Sequence, residues 1–381
     1  MSEPPASVGL GPPAARARAW LCDVAAPLWS ERGRTASGLF PERMTLQGVP
    51  ESSYYRVFVQ ARHIYSFATI GRLGWQGPWQ DLIAETMQAI LVGARRADGF
   101  FVHQLNGNAQ PLDARADLYD QAFVLLALGT VGGALAEPRW FDVAEELLDT
   151  IERNWSHPTG GFKEGEKVDA SVRRQNPHMH LLEAALALYE SSGRPRFAAF
   201  ATMIADLAAT HFIDPATGAL LEYFKEDLAP AAGIDGCIVE PGHCFEWAWL
   251  FERLGNMGRD GAHAVADRLV GFARTNGLCS RRGVCVNEVL TNGNLHDGRA
   301  RLWPQTERIK AAAIRHRRLG DPSETDEVAR ALAGLELYYT DLPPGLWRDK
   351  LNPDGSWIPE FSPGSSLYHI ACAYGELVGA A

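Results

Sequence analysis

The chain has 381 residues, room for two or three average domains or for one large repetitive one. Apolar residues make up 46% and aromatics 10%, enough to bury a sizeable core, which excludes a disordered protein. A formal charge of −10 and a pI near 5.6 give no basic surface for gathering phosphates, so nucleic acid is not an expected partner.

The opening Met1-Ser2-Glu3-Pro4-Pro5 lacks the basic and apolar regions of a signal peptide. Residues 1–14 are expected as a flexible leader and residues 15–381 as a single domain. The longest apolar stretch, Ala122 to Ala136, is too short to span a membrane and is broken by Gly129, Gly132 and Gly133. The six cysteines (22, 237, 244, 279, 285, 372) form no Cys-x-x-Cys pair, which suits a reducing cytoplasm and core packing.

Two series of helices alternate along the chain. One series has a clear polar and a clear apolar face: Ala15–Trp29, Trp79–Arg96, Arg139–Trp155, Arg196–Phe212, Gly261–Thr275 and Glu324–Tyr339. Pro78, Pro138, Pro195 and Pro322 stand where a helix start tolerates a fixed φ. In the third, Glu145, Glu146 and Asp149 line one side, while Phe141, Leu147, Leu148 and Ile151 line the other, as in an outer helix with one wet face. The second series reads as amphipathic or buried helices that open on polar or aromatic residues: Tyr55–Arg72, Asp117–Val131, Pro177–Ser191, Pro241–Leu254, Trp303–Leu319 and Leu367–Val378. Gln60, Gln121, His180, His243, Gln305 and His369, one from each opening, lie 59 to 64 residues apart.

Glycine-aromatic turns connect the two series, the clearest being Ser37-Gly38-Leu39-Phe40-Pro41-Glu42, Asp98-Gly99-Phe100-Phe101, Thr159-Gly160-Gly161-Phe162 and Asp354-Gly355-Ser356-Trp357. The β-prone runs beside them predict short hairpins. Six repeats of outer helix, glycine turn and inner helix predict an all-α fold, an (α/α)6 barrel with hairpin loops at its mouth. An open solenoid has the same period but needs polar capping repeats, and the end units here are no more polar than the rest.

A ring of inner helices would bring six N-terminal ends to one mouth. These ends carry Arg56, Gln60 and Arg62; Tyr119 and Asp120; Asn176, His178, His180 and Glu183; His243 and Glu246; Trp303, Gln305 and Glu307; and Tyr368 and His369. Hydrogen-bonding groups, an aromatic platform and three histidines suit a sugar. Arg62 lies in an apolar run, where a charge needs a partner: either Glu42 or Glu246 structurally, or the substrate. His63, His103, His157, His211, His263, His296 and His316 read as structural. His178 and His180, at i and i+2, point to different faces and cannot easily share one ion. His243 with Glu246, or His180 with Glu183, could. No His-Glu-x-x-His, Walker A or Gly-x-Gly-x-x-Gly run is present, and neither metal nor cofactor is expected.

Facing imidazoles supply a general acid and a general base near neutral pH. One can remove the proton alpha to a sugar carbonyl while a donor such as Arg62 stabilises the enediolate. Returning the proton to C1 isomerises an aldose to a ketose, and returning it to the other face of C2 gives an epimer.

The runs Arg56-x-x-x-Gln60-x-Arg62, Asn176-Pro177-His178-Met179-His180-Leu181-Leu182-Glu183-Ala184, Pro241-Gly242-His243-x-x-Glu246-Trp247, Arg301-Leu302-Trp303-Pro304-Gln305-Thr306-Glu307 and Leu367-Tyr368-His369 resemble the N-acylglucosamine 2-epimerase superfamily over the whole chain after the leader. The resemblance implies the (α/α)6 barrel and metal-free chemistry. It is strongest to the mannose isomerase branch, through Met179-His180-Leu181-x-Glu183-Ala184 and Trp303-Pro304-Gln305-Thr306-Glu307; cellobiose epimerases have a Trp-Trp-x-Gln-Ala-Glu version of the latter. It implies that His243 and His369 are the acid/base pair and that Arg62, Tyr119, Asn176, His180, Glu246, Trp303 and Glu307 hold the sugar. Glu246, one helical turn from His243, could orient that imidazole or bind a hydroxyl.

The expected function is interconversion of D-mannose and D-fructose, or a close analogue, through a cis-enediol, by a monomer or homodimer acting on a monosaccharide. A sugar 2-epimerase is the alternative. More remote are a glycoside hydrolase using two of Asp120, Glu183, Glu246 and Glu307, and a non-catalytic sugar-binding barrel.

Overall fold

A computed structural model describes residues 10–168 and 171–379. In chain order its helices are α1 (Gly11–Ala19) and α2 (Ala26–Glu31), joined by a π-helical turn (Trp20–Ala25); α3 (Val57–Arg72); α4 (Trp79–Ala94); α5 (Leu118–Ala134); α6 (Arg139–Trp155); α7 (Gln175–Ser192); α8 (Pro195–Leu207); α9 (Pro241–Asn256); α10 (Ala262–Asn276); α11 (Leu302–Leu319); α12 (Pro322–Glu336); and α13 (Ser366–Val378). Of the leader expected over 1–14, residues 1–9 lie outside the described residues. Gly11 to Ala14 already belong to α1, whose first turn contains Pro12 and Pro13, where their missing N–H groups leave no bond unmade.

Each even-numbered helix from α4 to α12 packs on the odd-numbered helix before it, and α1 packs on α13. The odd-numbered helices α3, α5, α7, α9, α11 and α13 touch one another in chain order, and α13 touches α3 again. Such inner helices are buried on every side, which explains why α5 is apolar all round: nearly every residue from Leu118 to Gly132 is buried. The glycines that interrupt this run serve packing, because a Cβ on Gly132 would lie 2.6 Å from the Phe141 ring of α6. The polar face of α6 stays wet, while Phe141, Ala144, Leu147, Leu148 and Ile151 are buried.

The repeat is most regular in the turns. Gly38, Gly99, Gly160, Gly218, Gly283 and Gly345 all have φ between +71° and +99°, a conformation that favours glycine. In five of the six, the residue two positions on is fastened through its backbone by a side chain. Gln60 bonds both the N–H and the C=O of Phe40 (2.7 and 3.1 Å), Gln121 those of Phe101 (2.8 and 2.9 Å) and Gln305 those of Cys285 (2.7 and 2.9 Å). His178 accepts from Phe162 N at 3.0 Å, and Ser362 Oγ bonds the N–H and C=O of Trp347. Gln60 and Gln305, read from sequence as mouth residues, and Gln121, read as a repeat anchor, are therefore turn clamps. The sixth turn is Gly345 rather than Gly355; Gly355 lies in the following hairpin, where Leu351 pairs with Trp357.

The residue four positions after each turn glycine links neighbouring units. His103 O accepts from Val57 N (3.0 Å), Glu164 O from Leu118 N (3.1 Å), Glu222 O from Gln175 N (3.2 Å) and Asp349 O from Leu302 N (2.9 Å). Each bond satisfies an amide at the start of the preceding unit's inner helix, one of the groups a helix cannot bond internally. The fourth inner helix starts with Pro241 and has no such amide. The series returns to its beginning where Gly364 N donates to Glu42 O at 2.8 Å, beside the antiparallel pairing of Arg43–Met44 with Ser362–Pro363.

If the clamps hold the turns, Gln121→Ala leaves two buried backbone groups of Phe101 unpaired. We expect a loss of about 2–5 kcal/mol, at roughly 1–3 kcal/mol per unsatisfied group, measured by urea denaturation. A loss below about 0.5 kcal/mol would show that water replaces the amide.

Candidate active site

The N-terminal ends of the inner helices enclose an open-mouthed cavity of about 430 Å3. It is lined by Arg62, Tyr119, Asn176, His180, Glu240, His243, Glu246, Arg301, Trp303 and His369. Eight of the nine residues singled out from sequence thus come together. The ninth, Glu307, is fully buried behind His369 rather than on the cavity wall. Glu240 and Arg301 complete the lining and were not among the nine, although Arg301 opens one of the recognisable motifs.

Each of the three histidines has its Nδ1 on a carboxylate. His180 Nδ1 is 3.1 Å from Glu183, His369 Nδ1 is 2.8 Å from Glu307, and His243 Nδ1 is 3.1 and 3.0 Å from the two oxygens of Glu222. A bonded Nδ1 fixes the ring and leaves Nε2 to act. The partner of His243 is Glu222, which precedes α9 in the loop, and not Glu246 as its one-turn spacing suggested. Only the place of Glu222, four residues after Gly218, marks it in the sequence.

The rings differ in charge. For His243, burial works against protonation, but Glu222 and Glu240 outweigh it and lift the imidazole to about 10. Glu240, 3.9 Å from the same Nδ1, is itself raised to about 7 by burial. His369 is held well below the usual imidazole range by burial, with Arg62 and Lys310 adding to the effect. His180 is also lowered by burial, despite its bond to Glu183. At neutral pH, His243 is therefore an imidazolium and His369 a neutral ring. Asn176 Nδ2 lies 3.2 Å from His243 Nε2 while its buried Oδ1 has no partner. A half-turn of the amide gives a charged His243 an acceptor.

Arg62 has neither of its candidate partners: Glu42 is taken by Arg56 at 2.8 Å, and no carboxylate among the described residues forms an ion pair with Arg62. It donates to Tyr119 Oη at 2.7 Å and lies against the rings of Phe123 (4.4 Å), Tyr368 (5.0 Å) and Phe58 (5.2 Å). An aromatic enclosure favours a cation without neutralising it, so its charge is available to the cavity. Trp303 lies 4.7 Å from His243 and 5.8 Å from His369, ring centre to ring centre.

Behind the cavity, the fully buried Lys310 sits 2.5 Å from Glu307, 3.6 Å from Glu246 and 4.1 Å from the Trp249 ring centre. Glu307 is raised to about 8 by burial and by Glu246, against the pull of Lys310. Three groups have donor atoms close enough to hold a cation: His180 with Glu183 and Glu246, Glu222 with Glu240 and His243, and Glu246 with Glu307 and His369. Protein donors already meet some of these oxygens, from Tyr368 on Glu183, from Gln175 and His243 on Glu222 and from His369 on Glu307, while Glu246 Oε1 has no hydrogen-bond partner. Asp120 lies outside the cavity, bonded to His103 at 2.7 Å, whose Nε2 meets Lys167 Nζ at 2.7 Å.

The inner-helix starts thus gather three histidines, an arginine without an ion-pair partner and several aromatic rings around one cavity. The chain belongs to the N-acylglucosamine 2-epimerase (GlcNAc 2-epimerase) family, which matches residues 38–373, and is thus an enzyme of the sugar epimerase and isomerase class. It is 39% identical over 369 residues to the mannose-6-phosphate isomerase of Rhizobium meliloti (strain 1021), covering 94% of this chain and 95% of that one. It is 28% identical over 283 residues to the D-mannose isomerase of Thermobifida fusca, covering 67% of each. In fold it is similar to the cellobiose 2-epimerase of Bacillus thermoamylovorans B4167, with a TM-score of 0.87, 18% identity and coverage of 97% and 99%. No helix among the described residues is long and apolar enough to cross a membrane.

Lys310→Met removes the cation from a buried cluster of acids. Breaking such a pair by removing one partner costs about 3–5 kcal/mol, and we expect that loss in urea denaturation at pH 8. Replacing Glu307 by Gln in the same chain should return part of it. Equal stability of Lys310→Met and the parent would mean that Glu307 is neutral and the lysine dispensable.

Proposed function

We propose that this protein is an aldose–ketose isomerase built on an (α/α)6 barrel, acting on D-mannose and D-fructose or a close analogue such as the 6-phosphate. The observation that carries the chemistry is the meeting of His369 and His243 around Trp303, each ring held at Nδ1 by a buried carboxylate. The names of the two relatives, for isomerases of mannose 6-phosphate and of D-mannose, favour isomerisation.

In this reading the open-chain sugar lies over Trp303, and His369 Nε2 takes the proton from C2. The C–H electron pair becomes the C1=C2 bond, and the carbonyl pair moves onto O1. Arg62 and the His243 imidazolium face the developing oxyanion, where fixed positive charge stabilises it more than the neutral ground state. His243 delivers its proton to O1, giving a cis-enediol. His243 then takes the proton from O2 as His369 returns the first proton to C1, which leaves the C2 carbonyl of the ketose. Asn176, Tyr119, His180 and Glu246 are placed to hold hydroxyls, and Glu307 keeps the His369 ring in its working orientation. The same charge states also serve a 2-epimerase, in which His243 gives its proton to C2 from the other face.

Incubation of the protein with D-mannose and with D-mannose 6-phosphate, in D2O with EDTA, separates these readings by proton NMR. A ketose product supports the proposal. An epimer with deuterium at C2 and little ketose replaces it with the epimerase, and no turnover of either sugar overturns the substrate assignment. His243→Ala and His369→Ala should each lower kcat at least about a hundredfold, the usual scale of acid–base catalysis, with unchanged circular dichroism.

The charge states also fix a pH dependence. A raised His243 keeps its proton as pH climbs past the ordinary imidazole range and loses it only near 10. A lowered His369 stays neutral throughout. We therefore expect kcat/KM to persist above pH 8 and to fall on approach to pH 10. An alkaline limb at pH 7 would show that His243 is an ordinary histidine.

A further inference from the structure

Four of the six units use the side chain four residues after the turn glycine in the same way. Glu42, Glu164, Glu222 and Asn287 each accept from the backbone N–H of the residue that caps their own inner helix: Arg56 at 2.5 Å, Arg174 at 2.7 Å, Glu240 at 3.3 Å and Arg301 at 3.0 Å. In the first and third units the capping residue is an arginine whose Nε also binds the carboxylate, at 2.8 Å in both. There the buried acid is fully used in fastening the helix start.

The fourth and fifth units break this pattern in opposite ways. In the fourth, the capping residue is Glu240, which has no donor to offer. Glu222, 3% exposed, turns both oxygens to His243 Nδ1 and receives Gln175 Nε2 at 2.8 Å. In the fifth, the arginine remains but the acid is Asn287, so Arg301 reaches only Asp349, at 3.8 Å, and lines the cavity.

We infer that Glu222 is a positioning residue for His243, a helix-fastening carboxylate released for that task because Glu240 stands where the first and third units carry arginine. The inference deepens the reading given above, in which His243 moves protons at the sugar. An arginine at 240 would compete for Glu222 and put a positive charge beside the imidazole; a glutamate adds a second negative charge instead. The charged groups acting on His243 are Glu222, Glu240 and Glu246, and Arg301 and Glu288 in turn act on Glu240. From the packed helices, Asn176 of α7 and Trp303 of α11 face the ring without charge.

The test is the His243 ring itself, followed in the whole protein with 15N-labelled histidine and assigned by its loss in His243→Gln. In the parent the ring should stay protonated through pH 8. In Glu240→Arg, which restores the pattern of the first and third units, it should titrate at least one pH unit lower, with Glu240→Gln between the two. Glu222→Gln, which keeps the shape and removes the charge, should give the largest drop. The alkaline limb of kcat/KM should move with the ring, with KM little altered. An unchanged His243 titration in both Glu240→Gln and Glu222→Gln would overturn the inference, and these two conservative variants decide the matter if the arginine variant does not fold. The NMR readout is independent of turnover. A ring that shifts in a protein that isomerises no sugar would sink the functional reading alone, and an unshifted ring in an active isomerase would sink the inference alone.

Discussion

An amide left unpaired at the start of a buried helix has to find an acceptor, and in this protein the acceptor comes from the next unit. At four of the six turns the glycine at positive φ directs the chain so that the carbonyl four residues on meets the first amide of the preceding inner helix. Side chains of the same unit cap several helix starts, but the first helical amide is met from outside the unit. Unit one depends on His103, unit two on Glu164, unit three on Glu222 and unit five on Asp349, while unit six returns to Glu42. Pro241 removes the one amide for which no such carbonyl is used. A chain of local obligations of this kind brings six helix starts to one place without any long-range instruction.

The chemistry follows from where those starts lie. Polar side chains at the ends of inner helices are buried but cannot all be satisfied by backbone, so they bond one another. Burial then decides which remain charged. His369, among cations, is neutral; His243, between two carboxylates, is charged; Arg62, among aromatic rings, keeps a charge with nothing opposite it. Two copies of one side chain are thereby driven toward different protonation states within a single cavity, as the proposed acid–base reaction requires.

The repeat and the residues lining the cavity were legible in the sequence because they sit at fixed distances from periodic features. The six anchors nevertheless occupy three registers relative to their helix caps, with His243 one place earlier than the glutamines and His180 two places later. Gln60, Gln121 and Gln305 clamp turns, whereas His180 lies two residues past the clamp His178 and so shares its place with Arg62, Phe123 and Glu307. The period survives because these registers differ by only three residues at most; the assignment of residues to the cavity does not. Glu222, Glu240 and Lys310 were not legible as parts of the site. Glu222 looks like any acid in a loop, Glu240 like any residue before a proline, and Lys310 is one of several basic residues of α11, set apart only by the three buried carboxylates around it.

Symmetry accounts for the scaffold and its breaking for the site. A sixfold arrangement in which every capping arginine met its own carboxylate would be a well-fastened ring of neutral pairs, with no charge to direct at a substrate. The first and third units are of that kind. Exchange of one partner in each of two adjacent units, an acid for arginine at 240 and an amide for acid at 287, releases one carboxylate and one guanidinium at little structural cost, because the backbone bonds at both positions are kept. The freed carboxylate charges His243 and the freed arginine faces the cavity beside it. The reactive end of the ring is thus its least symmetric part, built by subtraction from a pairing whose first purpose is to hold a helix in place.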